Sequence, residues 1–170
     1  NVIYEICNEP NGNVTWNKQI KPYAKTIVKT IRKHSKNAVI VIGTPTWSQD
    51  VDVVAQSPLK GKNLMYALHF YAGTHKEWNQ EKLKTAHKKG LPVMVTEFSI
   101  CDASGNGALD KASGNQWLRL LDRYNISYTA WSLCNKNESS ALIASTCSKT
   151  SGWTNGDLSA AGKWYFNKTK

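Results

Sequence analysis

The chain has 170 residues, 41% of them hydrophobic and 20% charged, with a formal net charge of +10. That length holds one sizeable core and is short for two, and no apolar run reaches the roughly 18 residues that a membrane span needs. The positive charge is nearly all lysine, Arg32, Arg119 and Arg123 being the only arginines. Nucleic-acid readers concentrate arginine among aromatics on one patch, so a solvated lysine surface is expected instead, with neither nucleic acid nor membrane as partner.

In chain order, short apolar β-branched runs alternate with helical patterns. The runs cover residues 2–7, 38–42, 64–70, 92–96 and 127–133, and their near-continuous hydrophobicity suits strands buried on both faces of a parallel sheet. Between the first two, Ile20, Tyr23, Ala24, Ile27, Val28 and Ile31 recur at steps of three and four, with lysines opposite. Further helical patterns cover residues 80–89, 115–124 and 159–167. Gly90 before Leu91-Pro92 stops one of them directly ahead of a strand. The spacing predicts Trp117 and Trp164 as core residues. The alternation predicts an α/β fold, leaving open a doubly wound sheet or part of a barrel. No glycine-rich phosphate loop follows any strand, which removes a nucleotide-binding reading.

Cys7, Cys101, Cys134 and Cys147 show no zinc spacing. Cys7 is expected in a buried strand, while Cys134 and Cys147 flank a polar loop that a disulfide would close in an oxidising compartment. Asn13, Asn125, Asn137 and Asn167 each begin an N-x-S/T sequon, a pattern compatible with secretion.

What ends each run carries the chemistry. The first ends in Asn8-Glu9, the second runs into Gly43-Thr44-Pro45-Thr46-Trp47, and the third ends in His69-Phe70-Tyr71. The fourth ends in Thr96-Glu97-Phe98 and the fifth in Trp131-Ser132. The C-terminal ends of parallel strands are where β/α folds build active sites. Glu9 and Glu97 supply two carboxylates, the pair that glycosidic cleavage uses. His69 and Tyr71 point the same way from one strand, and Trp47 and Trp131 offer flat faces for sugar stacking. No metal cluster, nucleophile elbow or Cys/His dyad is present in the sequence, and no cofactor is called for.

The blocks "YEICNEPNG", "GTPTWSQDVD", "YALHFYAGTHK", "VMVTEFSICDASG" and "AWSLCNKNESSAL" closely resemble successive strand-end motifs of glycoside hydrolase family 5 cellulases of the bacterial endoglucanase type. The resemblance runs in order through essentially all 170 residues. It implies the last five strands of a (β/α)8 barrel, residues 1–170 forming a single truncated catalytic domain, and endo-acting, retaining hydrolysis of β-1,4-glucan. Glu9 is then the general acid/base and Glu97 the nucleophile. Asn8 bonds the sugar 2-hydroxyl, Tyr71 holds the nucleophile, and His69 lines the same subsite. Trp131 stacks at the cleavage point, Trp47 lines the leaving-group side, and Lys136 and Glu138 bond glucosyl hydroxyls. The implied partner is a β-glucan or cello-oligosaccharide, and the implied location is extracellular.

The family barrel's first three strands, with an arginine and a histidine they bring to the site, have no counterpart here; Arg32, His34 and His87 fall in expected helices. The two outer strands become open apolar edges, so a homo-oligomer covering them is expected. Two other readings stand beside an active truncated enzyme: a catalytically weak or inactive half-barrel that only binds β-glucan, and a lysine-rich interaction module.

Overall fold

The computed structural model describes residues 2–169. Five strands, β1 (Ile3–Glu5), β2 (Val39–Ile42), β3 (Leu64–Tyr71), β4 (Val93–Ser99) and β5 (Tyr128–Ala130), form one parallel sheet in the order β1-β2-β3-β4-β5. Helices follow the strands: α1 (Lys21–His34), a short turn α2 (Pro45–Ser48), α3 (Val51–Val54), α4 (Glu77–Lys88), α5 (Lys111–Arg123) and α6 (Ala160–Lys168). Sequential parallel strands alternating with helices are the arrangement of part of a (β/α)8 barrel, as expected from the sequence.

The elements differ from expectation mostly at their ends. β1 pairs only through Ile3, Tyr4 and Glu5, opposite Val39, Ile40 and Val41. Burial on both faces holds for β2, whose Ile40, Val41 and Ile42 are fully buried, but not for β1, whose Ile3 is 55% exposed, with Val2 just before it 62% exposed. The reason is positional, because β1 has a neighbour on one side only. Cys7 lies beyond the end of β1 and is half-buried rather than core. α5 starts four residues before the expected 115, because Asp110 caps it: its carboxylate accepts from the Ser113 amide at 2.8 Å. α3 and a π-helical turn at Trp16–Ile20 escaped the periodicity, both being too short to show one.

The chain forms two compact units. The first runs to His69 and includes Glu77–Thr96; the second holds Phe70–Lys76 and the chain from Glu97 onward. In the first unit Trp16 packs edge-on against Tyr66 at 5.7 Å, and its indole donates to the Ser57 carbonyl at 2.9 Å. Arg32 donates to the carbonyls of Ser35, Ala38 and Lys62, tying the end of α1 to the loops flanking β2. Gly43 follows β2 where a Cβ would stand 2.2 Å from the Cys7 carbonyl oxygen. Only glycine lets the β2 exit pass that close under the segment leading to Glu9.

In the second unit Phe70 stacks on Trp117 at 4.0 Å and on Phe98 at 5.1 Å. Trp117 is fully buried and Trp164 is 8% exposed, as the helical spacing predicted. Each such aromatic contributes roughly 1.5–3 kcal/mol by leaving water. Gly73 lies where a Cβ would meet the Cys101 carbonyl at 2.6 Å, and its amide donates to that oxygen at 2.8 Å. Cys134 and Cys147 are free thiols: the Cys134 sulfur contacts the Ser132 hydroxyl and the Cys147 thiol donates to Asp157.

Candidate active site

In the first unit the strand ends bring together one connected set of polar groups. β1 leads through Ile6, whose amide donates to Val41 O at 3.1 Å, into Asn8 and Glu9. Glu9 has a φ of 45°, a left-handed backbone that costs a non-glycine residue roughly 1–2 kcal/mol. Its Oε1 hydrogen-bonds His69 Nδ1 at 2.9 Å. His69 is 2% exposed, and its Nε2 hydrogen-bonds the Thr96 hydroxyl at 2.9 Å. That hydroxyl in turn donates to Glu5 Oε1 at 2.7 Å.

Burial pushes the Glu5 carboxyl up. The nearby His69 side chain and the hydrogen bond from Thr96 outweigh it and hold the group below its ordinary value. Burial, and then the Glu5 charge, pushes the Cys7 thiol up. Neither Glu5 nor Thr96 was singled out in the sequence. The signal for Glu5 was there: Glu5, Cys7 and Glu9 alternate along one run, so an extended chain puts them on one face.

Trp47 stands on the turn after β2, where Thr46, Trp47 and Ser48 all have φ between 54° and 57°. The Trp47 amide donates to the Pro10 carbonyl at 3.2 Å, which ties the turn to the Glu9 segment, and its ring is 49% exposed. Asn8 is exposed, and its neighbour Glu9 is half-buried.

In the second unit the central group is Glu97. The Tyr71 hydroxyl donates to Glu97 Oε1 at 2.7 Å. The Tyr71 amide donates to His75 Nδ1 at 2.8 Å, and the Trp117 indole donates to the His75 carbonyl at 2.8 Å. His75, which the sequence reading passed over, therefore fixes the backbone from which the Tyr71 ring projects. Because Nδ1 accepts there, the ring hydrogen of neutral His75 sits on Nε2.

Trp131 follows β5 with its amide bonded to Phe98 O at 2.8 Å and its ring 43% exposed. Lys136 and Glu138 line a cleft of about 350 Å³ with Asn106 and Ser139. The Asn106 side chain accepts from both the amide and the hydroxyl of Ser139, bracing that loop. Asn106 is a fourth residue the sequence reading did not single out.

Each carboxylate thus has its own hydrogen-bonding partner, Glu9 in the segment that follows β1 and Glu97 near the end of β4. The profile described as Cellulase (glycosyl hydrolase family 5) matches residues 1–137. The chain belongs to glycosyl hydrolase family 5.

Among the relatives of this family 5 chain is an endoglucanase of Clostridium saccharobutylicum, 49% identical over 162 residues, 95% of this chain and 36% of that protein. Endoglucanase 5 of Pectobacterium carotovorum subsp. carotovorum is 46% identical over 96% of this chain and 32% of its own length. Of solved structures, the catalytic domain of Thermobifida fusca endoglucanase Cel5A in complex with cellotetraose is 34% identical with a TM-score of 0.91, over 99% of this chain and 57% of that one. A protein from Cytophaga hutchinsonii is 40% identical with a TM-score of 0.94, over 98% and 54%. The family 5 chain spans about a third of the length of these curated relatives and about half of these solved chains.

Proposed function

We propose that this chain carries the catalytic machinery of an endo-acting, retaining glycoside hydrolase that cleaves β-1,4-glucosidic bonds in cellulose or related β-glucans. The observation that carries the reading is the paired support of the two carboxylates. Glu9, four residues past β1, is held by His69 at 2.9 Å, and Glu97, near the end of β4, by Tyr71 at 2.7 Å. Family membership and the cellotetraose bound by the Thermobifida fusca relative supply the substrate class.

In the proposed reaction the Glu97 carboxylate attacks the anomeric carbon while Glu9 gives its proton to the departing glycosidic oxygen. Glu9 then takes a proton from the water that displaces Glu97, restoring both groups. Asn8 bonds the 2-hydroxyl, Trp131 stacks on the sugar at the cleavage point, and Trp47 lines the leaving-group side. Lys136 and Glu138 bond further hydroxyls. Hydrolysis of a soluble cello-oligosaccharide, followed by NMR, checks this reading: the β-anomer appears first if configuration is retained. Initial release of the α-anomer refutes a nucleophilic Glu97.

Residues 1–170 act in this reading as part of one catalytic domain, secreted, with a second copy covering the exposed apolar residues beside β1 and after β5. The support is the exposure of Val2 and Ile3, which line a cleft of about 640 Å³ with Tyr4, Ala38 and Val39, and the exposure of Leu133 after β5. Sedimentation at micromolar concentration is expected to show dimers or larger species.

A second reading, glucan binding without turnover, is favoured by one observation. The rings of Trp47 and Trp131 stand 49% and 43% exposed, so each offers a stacking face whether or not the carboxylates turn over. Calorimetric binding of cellotetraose with no product release selects it.

A further inference from the structure

The hydrogen bonds through His69 leave one reading of its Nε2. The hydroxyl of Thr96 has a single hydrogen, and it points to Glu5 Oε1 at 2.7 Å. The 2.9 Å contact between that same oxygen and His69 Nε2 therefore takes its hydrogen from the ring, so Nε2 is protonated. Across the ring, Nδ1 faces Glu9 Oε1 at 2.9 Å, where a hydrogen bond requires one hydrogen between them. If His69 is neutral, Nδ1 is bare and the hydrogen belongs to the Glu9 carboxyl; if it belongs to Nδ1, His69 is the imidazolium.

We propose that Thr96 and Glu5 are positioning residues for the acid/base chemistry of Glu9, fixing the Nε2–H form of His69 so that its Nδ1 presents a lone pair to the Glu9 proton. This rests on the reading of Glu9 as general acid/base. Glu5 serves as the fixed acceptor at the far end, its Oε1 taking the Thr96 hydrogen at 2.7 Å. His69 is 2% exposed, so solvent does not compete for either ring nitrogen as it does at the surface. Glu5 Oε1 also lies 3.9 Å from Nε2, close enough to favour the ring hydrogen on that nitrogen and too far to replace Thr96 as its acceptor.

During the first chemical step the Glu9 hydrogen goes to the glycosidic oxygen, leaving the carboxylate facing the Nδ1 lone pair. The water of the second step returns one hydrogen to Glu9, and the Nε2–H, Thr96 and Glu5 bonds stay as they were. The relay thus holds orientation through the cycle and transfers no net proton. Removing the Thr96 hydroxyl takes away what pins the hydrogen to Nε2. The Glu9 hydrogen can then pass to Nδ1 while the unpinned Nε2 proton is lost to solvent, leaving a neutral Nδ1–H ring that donates to a Glu9 carboxylate with no hydrogen to give.

The test has two arms, and the first needs no turnover. Nitrogen-15 NMR of the whole chain is expected to show His69 protonated at Nε2 in the wild type and shifted to Nδ1–H in Thr96→Val. Thr96→Ser, which keeps the hydroxyl, is expected to restore the wild-type pattern. A wild-type spectrum with Nδ1–H and bare Nε2 overturns the proposal, as does an unchanged tautomer in Thr96→Val. Should Thr96→Val fail to fold, Glu5→Ala is read in its place, with a loss of the fixed Nε2–H form expected and no change overturning.

The second arm compares aryl cellobiosides. Thr96→Val is expected to lose tenfold or more, on the order of a general acid's contribution, with a phenol leaving group, and to stay near wild type with 2,4-dinitrophenol. Equal losses on both would mark a merely structural role and overturn the proposal. An inactive wild type would remove the hydrolase reading while leaving the tautomer result to stand by itself.

Discussion

The Tyr71 hydroxyl donates to Glu97 Oε1 across 2.7 Å. A hydrogen bond to a charged acceptor contributes about 1.5–3 kcal/mol, and here it orients the carboxylate that attacks in the proposed reaction. Tyr71→Phe is therefore expected to lower kcat on a soluble β-glucan by about tenfold to a hundredfold. Circular dichroism should stay unchanged, since the ring keeps its packing.

The two carboxylates should separate by leaving group. Glu97→Ala is expected to abolish hydrolysis of carboxymethylcellulose and of every aryl glycoside. Glu9→Ala is expected to abolish the first and to slow a phenyl cellobioside by roughly 10²–10⁴. Formation of the glycosyl-enzyme from a dinitrophenyl cellobioside should survive in Glu9→Ala, because that leaving group needs no proton. Pre-steady-state release of dinitrophenol checks it.

Asp110 gives the chain a measurable acid sensitivity. The hydrogen bond from Lys76, then the Ser113 amide, holds its carboxyl below the ordinary value. A depressed folded-state value means that the stabilisation is present above the unfolded value near 4 and is lost as pH falls through the folded one. Asp110→Ala is expected to remove about 1 kcal/mol of α5 capping at pH 7. The difference from wild type should shrink as pH falls below the unfolded value, as denaturant melts at pH 7 and at acid pH would record.

Phe70 is the packing test. Its ring is fully buried between Trp117 and Phe98, so Phe70→Ala is expected to destabilise by about 3–5 kcal/mol. Urea titration measures the shift. Because the next residue is Tyr71, activity should fall at temperatures where the bulk of the fold remains intact.

The sheet and the four long helices were legible because each strand is a compact apolar run and each helix carries a 3.6-residue stripe. Glu9, His69, Tyr71 and Glu97 were legible because they terminate those runs. The partners that orient them were not. Thr96 reaches Glu5 across 91 positions of sequence, and Asn106 reaches Ser139 across 33, so neither contact leaves a local pattern. His75 acts through its ring nitrogen and its carbonyl on Tyr71 and Trp117, a role that depends on where the turn after β3 folds back. The burial expected of the first strand failed for a related reason. Apolar sequence marks a strand's need for cover and does not say whether a neighbour provides it.

The turn that presents Trp47 has a consequence for engineering. Thr46, Trp47 and Ser48 hold consecutive positive φ angles, a conformation that disfavours ordinary side chains by roughly 1–2 kcal/mol each. Glycine elsewhere in an ordered element loosens a protein, yet at Ser48, whose buried hydroxyl makes no hydrogen bond, it relieves that disfavour, whereas at Thr46 it would forfeit the 2.6 Å bond to Asp50. Ser48 is a position where the most flexible amino acid is the thermostabilising choice, leaving the indole beside it undisturbed.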